Sequence, residues 1–264
     1  MDFQATHNIA IRQGIKRDRV VDPEPTPLGI KQAINLRETF PHMDKITHIL
    51  CSPLKRTLHT ARLAFEPLTS QGLKIVAYPD IREQGRGLSS TGTNLEGLLK
   101  LHPKENQLVD LTLVPEGWEI NTEDTEEEEK YGIRAKSVRK ELWKLATEAL
   151  KEEGGLWKGH DVSRGSTHKN IEILVASHGA FLKKMCEQKS KCSRVQGEVR
   201  LENADLGLQI CCGTASIEHM DLILILWVPG HWWRRRRLRT QIDAIGRCGG
   251  NYQALAVDQK RSRY

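Results

Sequence analysis

A three-layer α/β/α fold on a mostly parallel sheet is what this sequence predicts, and three observations carry the prediction. Short β-branched apolar runs alternate along the chain with segments of helical period. One run, IEILVAS at 171–177, reads as a strand buried on both faces. The chain has 264 residues, 38 % of them apolar and 28 % charged, and a chain of that length buries about three-quarters of its unfolded surface without disulfides. One domain of about 200 residues with appendages fits, two small domains being the alternative. The composition excludes a collagen-like, a wholly disordered and a polytopic membrane chain.

Each element has its own signal. Thr26-Pro27 is a capping hydroxyl followed by proline at the first helical position, so GIKQAINLRETF is expected to be helical with Ile30, Ala33, Ile34 and Phe40 inward. ITHILC at 46–51 reads as a strand, and Ser52-Pro53 repeats the cap-plus-proline signal ahead of a helix over 54–65. LKIVAY (73–78) is a second strand, 79–93 a loop with Gly85, Gly87 and Gly92, and NLEGLLKLH (94–102) a short helix. The acidic stretch EDTEEEE (123–129) suits a solvated helix N-terminus, and Val138, Leu142, Leu145, Ala146 and Ala149 mark the long helix behind it. Gly154-Gly155 closes that helix, a polar loop spans 155–170, and the strand at 171–177 leads through His178-Gly179 into a helix at 180–188. Beyond residue 189 no clear period is visible. The longest apolar run, Leu222 to Val228, is far shorter than the ~20 residues a membrane helix needs.

The formal net charge is +6, and it is uneven. Residues 231–264 hold nine Lys/Arg against two Asp/Glu, a net +7, while the other 230 residues carry 31 against 32. The basic character belongs to the tail and says nothing of a nucleic-acid-binding core. Trp232, Trp233 and Arg234 to Arg237 could stack on and neutralise a nucleic acid weakly, but a disordered basic tail accounts for them better and no nucleic-acid partner is expected beyond that. The six cysteines form no CxxC pair, and MDFQATHNIA has no apolar leader run, so reduced thiols in a cytoplasmic protein are expected.

Two strand-to-helix junctions carry the chemistry. At Cys51-Ser52-Pro53-Leu54-Lys55-Arg56, free amides at a helix N-terminus and an arginine in its first turn would together suit a phosphate. The same residues also fit an ordinary capped helix with a surface arginine. At Ser177-His178-Gly179, a histidine leaves a buried strand beside a glycine that allows close approach. Alone, it also fits a structural histidine. In sheets of this kind, sites lie at the carboxyl ends of the strands.

Taken in order, these segments resemble the phosphoglycerate mutase-like, or histidine phosphatase, superfamily. The matching residues are Thr26, Gly29, Gln32 and Ala33; Ser52, Pro53, Leu54, Arg56, Thr60 and Ala61; Ile81-Arg82-Glu83; and Ser177, His178, Gly179 and Phe181-Leu182. Val114-Pro115-Glu116-Gly117-Trp118 is similar to the fungal members. The resemblance covers residues 1–188 as one domain. It leaves 189–230 as an atypical end of that domain and 231–264 as the basic tail. It implies hydrolysis of phosphomonoesters through a phosphohistidine, on a phosphorylated small molecule, with a fungal secondary-metabolite pathway as one setting. By position, Arg56, His178 and Asn8 are implied to bind the substrate phosphate. His178 also stabilises the transition state, and Glu83 protonates the leaving oxygen. A solvated loop glutamate is the lesser alternative for Glu83. No metal, cofactor or membrane is implied.

One departure stands out. Counting back from Asn8 puts Met1 and Asp2 where the superfamily has its Arg-His pair, and the apolar strand that precedes that pair is missing. A sheet lacking its first strand is therefore expected, with unpaired backbone rows where that strand would lie. The alternative function is an inactive relative that binds a phosphorylated ligand or a protein.

Overall fold

Thr26 opens the first helix as its hydroxyl requires: Oγ1 accepts from the Gly29 N–H at 3.0 Å, and helix α1 runs Pro27–Thr39. Ala33 is buried, whereas Ile30, Ile34 and Phe40 are half-buried. Strand β1 is His48–Cys51 and helix α2 is Lys55–Ala64, followed by the one-turn helix α3, Glu66–Thr69. Strand β2 (Ile75–Ala77), helix α4 (Leu95–Leu101) and strand β3 (Val109–Asp110) come next. Helix α5 spans Glu128–Ala149, and a hairpin of β4 (Leu156–Trp157) and β5 (His160–Asp161) follows it. Strand β6, Ile171–His178, passes directly into helix α6, Gly179–Cys186. This computed structural model describes residues 5–6, 20–40, 43–84, 87–101, 108–120, 128–163, 170–186, 191–195, 198–203, 208–213 and 221–228. Asn8, the Met1-Asp2 pair, most of the acidic stretch and the 231–264 tail lie outside the described residues.

The sheet has two halves. Strands β3, β2, β1 and β6 lie side by side, and all three pairings among them are parallel. This is the mostly parallel α/β sheet with flanking helices that the alternation predicts. The other half is antiparallel: β10 (Asp221–Val228) pairs with β6 along all eight residues, then β9 (Leu208–Gly213), β8 (Glu198–Asn203) and β7 (Lys191–Val195) follow outward. These strands lie where no period was expected. Alternation in Val199, Leu201 and in Leu208, Ile210, Cys212 is the signal they carry. Among the described residues β6 is paired on both edges, by β1 and by β10, and shows no unpaired backbone row.

Alternate residues of each parallel strand face opposite ways, and this divides the core in two. Leu50, Ile171, Ile173 and Val175 pack with Val138, Leu142, Leu145 and Ala146 of α5 and Phe181 and Leu182 of α6. Ile49, Cys51, Ile75, Ala77, Leu174 and Ala176 pack on the other face with Leu58 and Ala61 of α2, with Phe65, and with Leu98 of α4. Each fully buried aliphatic side chain contributes about 1.5–3 kcal/mol. Phe40 joins the second face through an edge contact with Phe65, ring centroids 5.8 Å apart.

Two local expectations are corrected. Helix α2 begins at Lys55, not Pro53, and its N-cap Leu54 has extended φ and ψ with no side-chain cap bond. Ser52 precedes a proline, which disfavours helical backbone, so its hydroxyl is turned elsewhere. The 155–170 loop holds the β4–β5 hairpin, closed by Lys158 (φ 50°) and Gly159 (φ 85°), the double positive-φ turn that suits a two-residue connection.

Candidate active site

Sheet register builds the site. In the parallel β1–β6 pairing Cys51 stands beside Ala176, and the Ser52 N–H donates to the Ala176 carbonyl at 2.9 Å. Ser52 and His178 therefore leave the sheet at the same carboxyl-end edge. The two chains then part. After β6 the helix starts at once, at Gly179. After β1 three residues, Ser52 to Leu54, intervene before the helix, which sets Arg56 in the first turn of α2.

Three buried side chains meet there. The Arg56 guanidinium contacts His178 Nδ1 from Nη2 at 3.1 Å and donates from Nη1 to the Ser89 carbonyl at 2.8 Å. His178 Nε2 lies 2.8 Å from Ser52 Oγ. Ser52, Arg56 and His178 are 0 %, 3 % and 0 % exposed. A phosphoryl oxygen set between Arg56 and His178 would have to open their 3.1 Å contact, since it needs its own donor distance to each.

A carboxylate organises the cation's surroundings. Asp22 takes a left-handed φ of 40°, a conformation aspartate tolerates. Its Oδ1 accepts from the Lys55 N–H at 2.9 Å and its Oδ2 from the Thr93 hydroxyl at 2.7 Å, while its own N–H donates to the Leu88 carbonyl at 3.2 Å. The first amide of α2, expected to stay free for a phosphate, is thus committed to Asp22, which also suits the helix dipole. Burial pushes the Asp22 carboxyl above its ordinary value, against the bonds from Thr93 and Lys55 and the charges of Arg56 and Lys55.

Glu83 stands on the next loop. The Ser177 hydroxyl donates to the Ile81 carbonyl at 2.6 Å and ties that loop to the end of β6. Glu83 follows two residues on, half-buried, its Oε1 accepting from the Gln84 N–H at 2.8 Å. Arg134 Nη1 braces the loop by donating to the carbonyls of Asp80 and Arg82. The structure brings Arg56 and His178 into contact and sets Glu83 on the loop anchored beside them; Asn8 lies outside the described residues.

The sequence model of the histidine phosphatase superfamily (branch 1) matches residues 10–155, more than half of the chain. The chain belongs to this superfamily. Arg56 and Glu83 fall inside the matched segment, Asn8 precedes it and His178 follows it. Among solved structures, one similar to the chain is that of the open reading frame Rv3214 from Mycobacterium tuberculosis. It is 18 % identical, with 87 % of this chain and 95 % of that chain covered and a TM-score of 0.39. No curated protein sequence matches.

Ser52, Asp22 and Ser89 are site neighbours that sequence reasoning did not single out as functional. Ser52 and Asp22 stand in segments read as cap and helix entry, and that reading hid their long-range partners. Ser89 contributes only a carbonyl, which leaves no mark in a side-chain pattern. No group of His, Cys, Asp and Glu among the described residues could hold a metal ion, and no helix there is long and apolar enough to cross a membrane.

Proposed function

We propose that this chain is a phosphomonoester phosphatase of the histidine phosphatase superfamily, acting on a phosphorylated small molecule. The observation that supports it best is the buried contact between Arg56 and His178 at the carboxyl ends of the parallel strands. A guanidinium and an imidazole held away from water are worth far more to a developing phosphoryl charge than the same groups in solvent. Arg56 and His178 hold the transferred group, and Glu83 protonates the leaving oxygen. On the superfamily pattern the phosphoryl group passes from the leaving oxygen to a histidine other than His178 and then to water, each step exchanging one P–O or P–N bond for another; Asp2 stands at that histidine's position in this chain.

A second reading is favoured by one specific residue. Asp2 stands where the resemblance places the nucleophile. A chain using that residue would bind a phosphorylated ligand through Arg56 and His178 without turning it over.

Hydrolysis of p-nitrophenyl phosphate by the full chain separates the two. The first reading expects turnover that falls about a hundredfold or more in Arg56→Ala and His178→Ala. No turnover, with a phosphate-dependent rise in melting temperature, supports the second. Turnover indifferent to both substitutions, or neither turnover nor a rise, overturns the phosphate site itself.

A further inference from the structure

We propose that Ser52 is the positioning residue of this site: its hydroxyl accepts the Nε2 proton of His178 and so holds the ring with Nδ1 turned to Arg56. The inference deepens the phosphate-site reading of Arg56 and His178 and rests on it: with Nε2–H held by Ser52, Nδ1 offers a lone pair, so the ligand that parts it from Arg56 is a protonated phosphate whose P–O–H donates there.

The donors and acceptors leave one arrangement. A guanidinium carries N–H donors and no acceptor. At 3.1 Å from Arg56 Nη2, His178 Nδ1 therefore presents its lone pair. The ring proton of the neutral imidazole is then on Nε2, and the oxygen 2.8 Å away is Ser52 Oγ. Ser52 consequently accepts. Which ring nitrogen holds the proton is set by the bond the other one makes, so Arg56 and Ser52 act on one choice from opposite sides.

The placement is built in by the backbone. Ser52 is fully buried, and its N–H is fixed to the Ala176 carbonyl at 2.9 Å. The residue after it is proline, which keeps Ser52 out of the helix. The hydroxyl is also spared the capping role its position suggests, since the Leu54 N–H is 3.5 Å away, at the limit of a bond. An imidazole whose Nε2 lost this partner would be free to take the other tautomer and to set a proton against the arginine.

The test uses the full chain labelled with ¹⁵N, with the His178 ring signals identified by their absence in His178→Gln. In the native protein the ring proton is expected on Nε2, at a low-field position typical of a hydrogen-bonded N–H. Ser52→Ala should remove or move that signal and weaken binding of inorganic phosphate by about fivefold, the worth of one hydrogen bond. Ser52→Thr keeps a hydroxyl and should restore both. Should Ser52→Ala fail to fold, Ser52→Thr and Ser52→Cys carry the comparison, the weakly accepting thiol giving the altered signal.

A native ring protonated on Nδ1, or an Nε2 signal and a phosphate affinity unmoved by loss of the hydroxyl, overturns the proposal. The ring signal needs no turnover. A chain that hydrolyses nothing yet shows the Ser52-dependent Nε2 proton loses the phosphatase reading and keeps the positioning one. Native phosphate binding left unchanged in Ser52→Ala does the opposite: the phosphate site stands and Ser52 has no part in it.

Discussion

Two aspartates are each held by one threonine hydroxyl and one backbone N–H, and their carboxyls shift in opposite directions. Asp22, at the carboxyl ends of the strands, accepts from the Thr93 hydroxyl and the Lys55 N–H. Asp110, at the end of β3 toward the hairpin, accepts from the Thr112 hydroxyl at 2.6 Å and the Thr112 N–H at 3.0 Å. His160 adds Nδ1 at 3.3 Å from Asp110 Oδ2. Burial acts on both and raises both. At Asp22, 1 % exposed, it wins; at Asp110, with 15 % of its side chain exposed, the Thr112 bonds and the charges of His160 and Lys74 win, and the carboxyl is lowered. The donor set alone does not decide a carboxylate's behaviour; its distance from water does. The candidate site occupies the dry end, where Arg56 answers Asp22.

The sharpest way to break this contrast is Arg56→Ala. It removes the cation from the dry end, and turnover or phosphate affinity should fall about a hundredfold. With Arg56 gone, Asp22 should hold its proton still more tightly, which a pH series of urea melts would read. Gly92→Ala attacks the same end through a neighbour. A Cβ there would stand 2.3 Å from the ring of buried Trp118 and would displace the segment that carries Thr93. A loss of about 1–3 kcal/mol is expected from overpacking in denaturant melts.

Substituting the aspartates sharpens the comparison itself. The folded state binds the Asp22 proton more tightly than the unfolded chain does. The stability this contributes is present below the ordinary value of 3.8 and is lost as pH rises through the raised value. For Asp110 the sign reverses: its contribution is present above 3.8 and is lost as pH falls through the lowered value. Measured from pH 3 to 7, native stability minus that of Asp22→Asn should fall with rising pH, while native minus Asp110→Asn should rise. Each should change by about 1.4 kcal/mol per unit of pKa displacement. Parallel slopes would contradict the burial argument. The smallest effect belongs to the hairpin that presents His160. Lys158→Gly relieves a non-glycine residue at φ 50° but removes its ammonium from Glu141 and from the Tyr78 and Trp157 rings, so stability should move by less than about 1 kcal/mol and phosphate binding should not change.

Much of the parallel half was legible in the sequence because each element there is defined by local chemistry. Thr26 caps, the continuous buried run at 171–178 faces two layers of helices, and the period of α5 marks its buried stripe. Arg56 and His178 were legible as a pair only through the ordered resemblance, since their contact depends on the β1–β6 register across 122 residues. Ser52 was misread because a serine before proline ahead of a helix carries the same local signal whether it caps the helix or turns away. The antiparallel strands β7 to β9 were missed for a different reason. Their residues are polar and charged enough to hide a two-residue alternation, and pairing passed outward from β10 through β9 and β8, rather than local propensity, makes them strands.

The most direct test of the central claim is the melting temperature of the full chain with increasing inorganic phosphate, beside Arg56→Ala and His178→Ala. Ligand that binds only the folded chain raises stability by RT ln(1 + [L]/Kd), about 2.7 kcal/mol at a hundredfold excess over Kd. A rise in the native chain that both substitutions abolish is the predicted result. No rise in the native chain, or the same rise in all three, would contradict the assignment of Arg56 and His178 as a phosphate site.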